Sequence, residues 1–347
     1  MKVTILWSGL ASYTVAFFRE LASSQGCEIQ LIFYGPTSEA PYECFDLSFC
    51  KTAIDRTNRA TVDIKDVVIK FSPDCILMSS WNFSDYMKIA KTMRSKGVFV
   101  VSTMDHQWQG TLRQWVGVIS SRWFLKPSID CFLVPGDRQA YFARKLGYHK
   151  ILYGMFAATV EEFYAGVPIG ERDSSFLYVG RLSPEKGIEN LLVAYEMYRQ
   201  QCTAPWELKI AGTGNLKTLT VNRPGVKVFG FVQPRQLPKL MQSARALILP
   251  SLWEPWGVVI HEAAAAGLPV IATYNCGAVP AFVRDGINGF VVQPSPHDLK
   301  DAMLKLSSYE TERLQNLGKA SETLAGLWTP SKLAKYFVEN LRYALKG

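Results

Sequence analysis

Hydrophobic positions along the chain gather into short apolar runs separated by segments of helical period. The runs 2–7 (KVTILW), 28–35 (EIQLIFYG), 75–80 (CILMSS), 98–103 (VFVVST) and 131–135 (CFLVP) are rich in β-branched and aromatic residues, as buried strands are. Between them, 13–24 (YTVAFFRELASS) and 85–97 (DYMKIAKTMRSKG) repeat apolar residues at three- and four-residue spacing, the period of one buried helical face. Strand and helix in alternation predict a parallel sheet with crossover helices. The alternation restarts at 176–180 (FLYVG) and runs through 207–212 (ELKIAG), 226–231 (VKVFGF), 246–251 (ALILPS), 269–273 (PVIAT) and 289–294 (GFVVQP). The prediction is an α/β protein of two similar doubly wound units, one after the other.

The polar segment 163–175 (FYAGVPIGERDSS), with its glycines and proline, reads as the join. Domains are therefore expected at 1–160 and 161–328, followed by a terminal helix over 329–347 with Thr329 or Ser331 as its cap. Open α/β sheets bind ligands beyond the carboxyl ends of their strands, and two such units face to face leave a cleft. Chemistry is accordingly sought in loops that follow strands.

Composition narrows the class. With 347 residues, 48% hydrophobic and 20% charged, the chain is neither disordered nor fibrous. No apolar stretch reaches the roughly 18 residues of a membrane span, and the opening segment lacks the charged start and cleavage site of a signal peptide, so a cytosolic protein is expected. Seven cysteines (Cys27, Cys44, Cys50, Cys75, Cys131, Cys202, Cys276) form no C-x-x-C pair and read as core thiols rather than disulfides or metal ligands. A net charge of +8 suggests a polyanionic partner: nucleic acid, an anionic lipid surface or a phosphorylated substrate.

The loop 179–192 (VGRLSPEKGIENLL) brings several anion-binding features into register. A strand ends at Gly180, Ser183 is placed as N-cap and Pro184 as first helical residue, and Arg181 and Lys186 flank the helix start. Free N–H groups, the helix dipole and two cations would converge on a phosphate. The competing reading, two solvated surface charges, leaves that register unexplained. Farther on, Glu254 and Glu262 lie eight residues apart, and Glu262 sits among Val258, Val259, Ile260 and four alanines. Such a setting predicts a largely buried carboxylate.

GRLSPEKG, followed by EPWGVVIHEAAAAGLPVIA and then GAVPAFVRDGINGFVV, closely resembles the retaining GT-B glycosyltransferases of glycosyltransferase family 4. The specific match covers 176–300, and the first half agrees in architecture, with a weak glycine-loop match at 7–13 (WSGLASY). The resemblance implies two Rossmann-like domains facing a central cleft, with the C-terminal helix crossing back to the first. It implies a nucleotide-diphosphate sugar on the second domain as donor substrate, and a carbohydrate or lipid-linked acceptor on the first. Arg181 and Lys186 would bind the diphosphate, Glu262 would accept from the ribose hydroxyls, and Glu254 would lie near the sugar. Trp256, Gly257, Val258 and Val259 would cradle sugar and phosphate with backbone N–H groups, and Gly9, Gly180, Gly212, Gly230, Phe231 and Val232 would complete the donor site. No Asp-x-Asp pair occurs in the chain, so protein cations rather than a metal are expected to offset the leaving-group charge, and no cofactor is expected.

The chain departs from the family at two places. GAVPA puts Ala281 where an acid is usual, and 102–110 (STMDHQWQG) carries Asp105 and His106 in the opposite order to the family's His-Asp pair, leaving open which of them faces the sugar. His149, His261 and His297 lack motif support and are read as structural.

The same residues bear on other readings. A dinucleotide-dependent oxidoreductase needs G-x-G-x-x-G after a strand, and 211–217 (AGTGNLK) has Lys217 in the third glycine's place. A nucleic-acid-binding protein finds no recognition motif. A GT-B epimerase or phosphorylase stays open. Segment 111–128 (TLRQWVGVISSRWFLKPS) mixes Trp115, Val116, Val118, Ile119, Trp123, Phe124 and Leu125 with Arg113, Arg122 and Lys126. It reads either as a core-packing crossover helix or as a helix lying on an anionic membrane; the second would make the protein peripheral at the cytoplasmic membrane face, with a surface-polysaccharide, lipopolysaccharide or glycolipid acceptor.

Overall fold

Among the described residues every paired strand runs parallel to its neighbours. The computed structural model describes residues 1–35, 45–57, 63–164 and 166–345. They form two units, Met1–Ala157 with Pro330–Gly347, and Ala158–Thr329. Cys44 lies outside the described residues; the other six cysteines are free thiols, with Cys27, Cys75, Cys131 and Cys276 buried.

The first unit begins with β1 (Lys2–Trp7), α1 (Ser12–Ser23), β2 (Glu28–Phe33), β3 (Thr52–Asp55), α2 (Ile64–Phe71) and β4 (Cys75–Met78). It continues with α3 (Ser84–Arg94), β5 (Phe99–Thr103), α4 (Leu112–Phe124), β6 (Cys131–Val134), α5 (Asp137–Lys145) and β7 (Ile151–Tyr153). The sheet order is β3-β2-β1-β4-β5-β6-β7. Ile5 pairs with Leu31 on one side and Leu77 on the other, and all three are fully buried because helices cover both faces. The sequence does not predict the two edge strands, β3 and β7: β3 (TAID) mixes Thr and Asp with its apolar residues and β7 has three residues, so neither shows the continuous apolar run of a central strand.

The second unit follows as α6 (Val160–Phe163), β8 (Ser175–Val179), α7 (Ile188–Gln201), β9 (Glu207–Ala211), β10 (Val226–Gly230), α8 (Leu237–Gln242) and β11 (Ala246–Leu249). It ends with α9 (Val258–Ala265), β12 (Val270–Thr273), α10 (Val279–Phe282), β13 (Gly289–Val292), α11 (Pro296–Ser307) and α12 (Thr311–Gly326). The sheet order is β10-β9-β8-β11-β12-β13, and its core joins Phe176, Tyr178, Leu191, Ile210, Ile248 and Met303.

The last helix, α13 (Pro330–Ala344), returns to the first unit, as the resemblance implied. Its Phe337 ring stands edge-on to Phe17 of α1 at 5.9 Å. Pro330 opens the helix, where its missing N–H is no loss, so Thr329 holds the N-cap position and Ser331 lies inside.

Candidate functional site

In each sheet the strand order reverses direction at one place, and there the loops diverge and leave a crevice beyond the carboxyl ends. In the second unit this place lies between β8 and β11, and the loops that leave these two strands carry most of the predicted site.

After β8 the chain does not enter a helix at Pro184. It makes a 3-10 turn over Pro184–Lys186, and α7 starts one turn later. Ser183 therefore does not cap through its side chain; its hydroxyl donates to Glu185 Oε1 at 2.6 Å, and this bond holds the Glu185 carboxyl below its ordinary range. Gly187 joins turn and helix at φ +69°, and a Cβ there would stand 2.1 Å from the carbonyl oxygen of Pro250. Only glycine lets the two loops touch backbone to backbone. Arg181 is 58% exposed and 3.4 Å from Glu185, whereas the Lys186 side chain is 12% exposed. The Lys186 ammonium lies 2.5 Å from Glu254 Oε2, and Glu254 is itself buried. The loops after β8 and β11 are thus tied by a buried, charge-assisted bond.

Glu254 is also held through its backbone, whose carbonyl accepts from Gly277 N–H at 3.0 Å. Two residues on, the Trp256 ring is buried against Phe282 and Trp328. The Trp256 side chain thus serves the core, and its backbone is the part that belongs to the loop. Gly257 is the N-cap of α9, and Gly257, Val258 and Val259 are partly exposed. The positive end of a helix dipole thus opens beside the ion pair.

Glu262 lies in the second turn of α9 and is partly exposed rather than fully buried. Burial, aided by the negative charge of Glu162 from α6, pushes its carboxyl up to about 7. No described residue donates a hydrogen bond to that carboxylate. Its neighbour His261 is structural, as expected: Nδ1 accepts from Ala158 N–H at 2.9 Å, Nε2 lies 3.1 Å from the Ala325 carbonyl, and burial pulls the imidazole down to about 4. His149 and His297 are exposed.

Gly180, Gly212 and Gly230 close the same end of the sheet. Gly212 N–H donates to the Gly230 carbonyl at 2.7 Å, and Gly180 N–H to Ala211 at 3.0 Å. A Cβ on Gly212 would lie 1.8 Å from the Gly180 carbonyl oxygen. Phe231 and Val232 follow, partly buried, and Ala281 lies in α10.

In the first unit the reversal lies between β1 and β4. A cavity of about 770 Å³ opens there, and Ser8, Gly9, Ser79, Ser80, Asp105 and His106 are among its lining. Asp105 and His106 both face it, so neither is set aside by their order. His106 Nδ1 is 2.8 Å from Asp105 Oδ1, and that hydrogen bond raises the imidazole above its ordinary value. Gly9 is exposed, and a Cβ on it would meet nothing, so it leaves room rather than meeting a backbone need. Ser79 and Ser80 had no motif; their place at the end of a strand beside the reversal was the signal available.

The core-packing reading of 111–128 holds only in part: Leu125 and Ser128 are buried, and Val118 packs against the core of the first unit. Of α4 only Ser121 is buried, while Leu112, Trp115, Val116, Ile119, Trp123 and Phe124 are exposed.

Residues 160–324 match the family model described as Glycosyl transferases group 1. The matched segment lies within the second unit. An uncharacterized glycosyltransferase of Methanocaldococcus jannaschii is 33% identical over 143 residues, 39% of this chain and 36% of that one. The match thus spans about a third of that curated relative's length. Sucrose-phosphate synthase from Thermosynechococcus elongatus superposes with a TM-score of 0.76 at 18% identity, covering 100% of this chain and 99% of that chain. HepE of Anabaena in complex with UDP and glucose gives 0.71 at 14%, covering 99% and 100%. These likenesses establish the fold as GT-B: two Rossmann-like α/β units with parallel sheets. The matched segment contains Arg181, Lys186, Glu254, Glu262 and the loops around them, and the match favours neither the oxidoreductase nor the nucleic-acid reading.

Proposed function

We propose that the protein transfers a sugar from a nucleotide-diphosphate sugar, bound by the second unit, to a hydroxyl-bearing acceptor bound by the first. The observation that carries this reading is the buried Lys186–Glu254 pair at the β8/β11 reversal, beside Arg181 and the open start of α9. Cleavage of the sugar–phosphate bond builds negative charge on the diphosphate, and fixed cations and N–H groups aimed at it lower the barrier. Lys186 does this at the cost of sharing its ammonium with Glu254. Glu262, a carboxylate without a donor among the described residues, is completed by the two ribose hydroxyls. Retention of configuration and independence of metal complete the proposal, supported by the kinship of the motif residues and by the lack of an Asp-x-Asp pair.

The acceptor is assigned to surface-polysaccharide, lipopolysaccharide or glycolipid synthesis at the cytoplasmic face of a membrane. The outward apolar face of α4, with Arg113, Arg122 and Lys126 exposed beside it, fits an anionic lipid surface. Among the described residues no helix is long and apolar enough to cross a membrane.

A thermal-shift panel of sugar nucleotides tests the donor assignment. A true donor at 100 times its dissociation constant adds about 2.7 kcal/mol of stability, and a flat panel would refute the reading. NMR of the product's anomeric carbon reads retention against inversion.

A further inference from the structure

The helix α4 is built inside out. Apart from Val118, which packs against the core, its bulky apolar residues are largely exposed, while Gln114, Gly117, Ser120 and Ser121 line the 770 Å³ cavity. A helix with this pattern covers something other than a hydrophobic core. Glycine inside a helix is unfavourable by roughly 1 kcal/mol against alanine, yet Gly117 sits mid-helix, and a Cβ on it would meet nothing within 4 Å. The space beside α4 is open.

That space changes character along its length. Asp105 and His106 lie just beyond the carboxyl end of β5, next to the start of α4. Phe124, at the other end of α4, lines the same cavity with Phe142 and Leu146 of the α5 region. From Gln114 to Phe124 the helix runs about 15 Å at 1.5 Å per residue. Phe124 is 56% exposed, so it belongs both to the cavity and to the outward apolar face.

We infer that the cavity takes an amphiphile, with its hydroxyl-bearing head at Asp105 and His106 and its apolar tail passing Gly117 to the side chains of Phe124, Phe142 and Leu146. This rests on the first unit being the acceptor site, and it names the acceptor class as lipid-linked. At the end lined by Phe124, Phe142 and Leu146 the hydroxyls of a free sugar would find few partners, and a hydroxyl buried without one is costly. The continuity through Phe124 gives a tail held in a membrane a route to the head site without crossing water.

Calorimetry of the full chain with methyl, hexyl and octyl glucoside, all below micelle formation, tests this. Each buried methylene strengthens binding about threefold to fourfold, so octyl should exceed hexyl by about tenfold or more. Gly117→Leu places a side chain in the open space and should remove the chain-length dependence; Gly117→Ala, folding at least as well, should largely retain it. Affinity independent of chain length overturns the inference. So does a dependence that survives Gly117→Leu but is lost in Trp115→Ser with Trp123→Ser, since the tail would then sit on the outer face. UDP binding, measured in parallel, reports on the second unit: its failure beside intact chain-length dependence counts against the donor reading and supports the tail site by itself.

Discussion

Glu262 is the residue whose chemistry and cost to the fold are most closely joined. Its carboxyl, ordinarily near 4.5, is pushed up to about 7 in the folded chain, first by burial and then by Glu162. A folded-state value above the unfolded one means that the unfolded chain ionises more readily as pH rises. The full stability is present below pH 4.5, and it is lost progressively until the pH passes 7. At about 1.4 kcal/mol per pH unit the gap amounts to about 3 kcal/mol, an upper figure because the side chain is partly exposed. Glu262→Gln keeps the shape and removes the charge, so the variant should match wild type near pH 4.5 and exceed it by up to about 3 kcal/mol at pH 8. Urea unfolding at the two pH values measures this on the transition that sugar nucleotide stabilises. His261 titrates in the opposite sense, its stability lost as pH falls from 6.5 through about 4, but it is common to both chains and cancels.

The same carboxyl should couple ligand binding to protons. If ribose hydroxyls donate to it, the complex favours the ionised form. Near pH 7, where the free protein is half protonated, binding should release about half a proton, and affinity should fall about tenfold from pH 8 to pH 6. Calorimetry in two buffers of different ionisation enthalpy counts the protons. Equal pH dependence of stability in wild type and Glu262→Gln would refute the burial argument. Equal proton release in the two chains would refute the ribose assignment.

Much of this site was legible because it is written in short loops after strands. The run of residues from Gly180 to Gly187 showed its glycines, proline and cations in register, and all of them fall at the β8/β11 reversal. The pattern misjudged the backbone between them. Ser183 and Pro184 read as a helix start, but the close approach of Gly187 to Pro250 requires a turn there first. Nothing local records that Phe282 and Trp328 bury the Trp256 ring. The Lys186–Glu254 bond spans 68 residues, and Glu162 acts on Glu262 from 100 positions away; no spacing rule reaches that far. The polarity of α4 was ambiguous for a different reason. A helix apolar on one face has the same period whether that face looks inward or outward, and only the cavity behind Gly117 decides.

Three further outcomes follow from the two loops and from α4. Lys186→Ala should lower kcat by roughly 100- to 1000-fold with the fold intact, and near-normal turnover would remove Lys186 from the leaving-group role. Glu254→Gln should mainly lower turnover while sparing the affinity for free nucleotide diphosphate, whereas Glu262→Gln should weaken both; equal binding losses in calorimetry would contradict the division between sugar and ribose. The last concerns the outward face of α4, where Trp115 and Trp123 are 47% and 64% exposed and Arg122 lies over the Trp123 ring at 4.2 Å. A helix that meets an anionic surface gains about 1 kcal/mol from each nearby basic residue and more from rings at the interface. Co-sedimentation should therefore depend on anionic lipid and weaken with salt, and Trp115→Ser with Trp123→Ser should reduce binding at every salt concentration, since it removes the apolar part alone. Binding that ignores lipid charge, or that survives loss of both rings unchanged, would leave this face without its membrane and require another apolar partner to cover it.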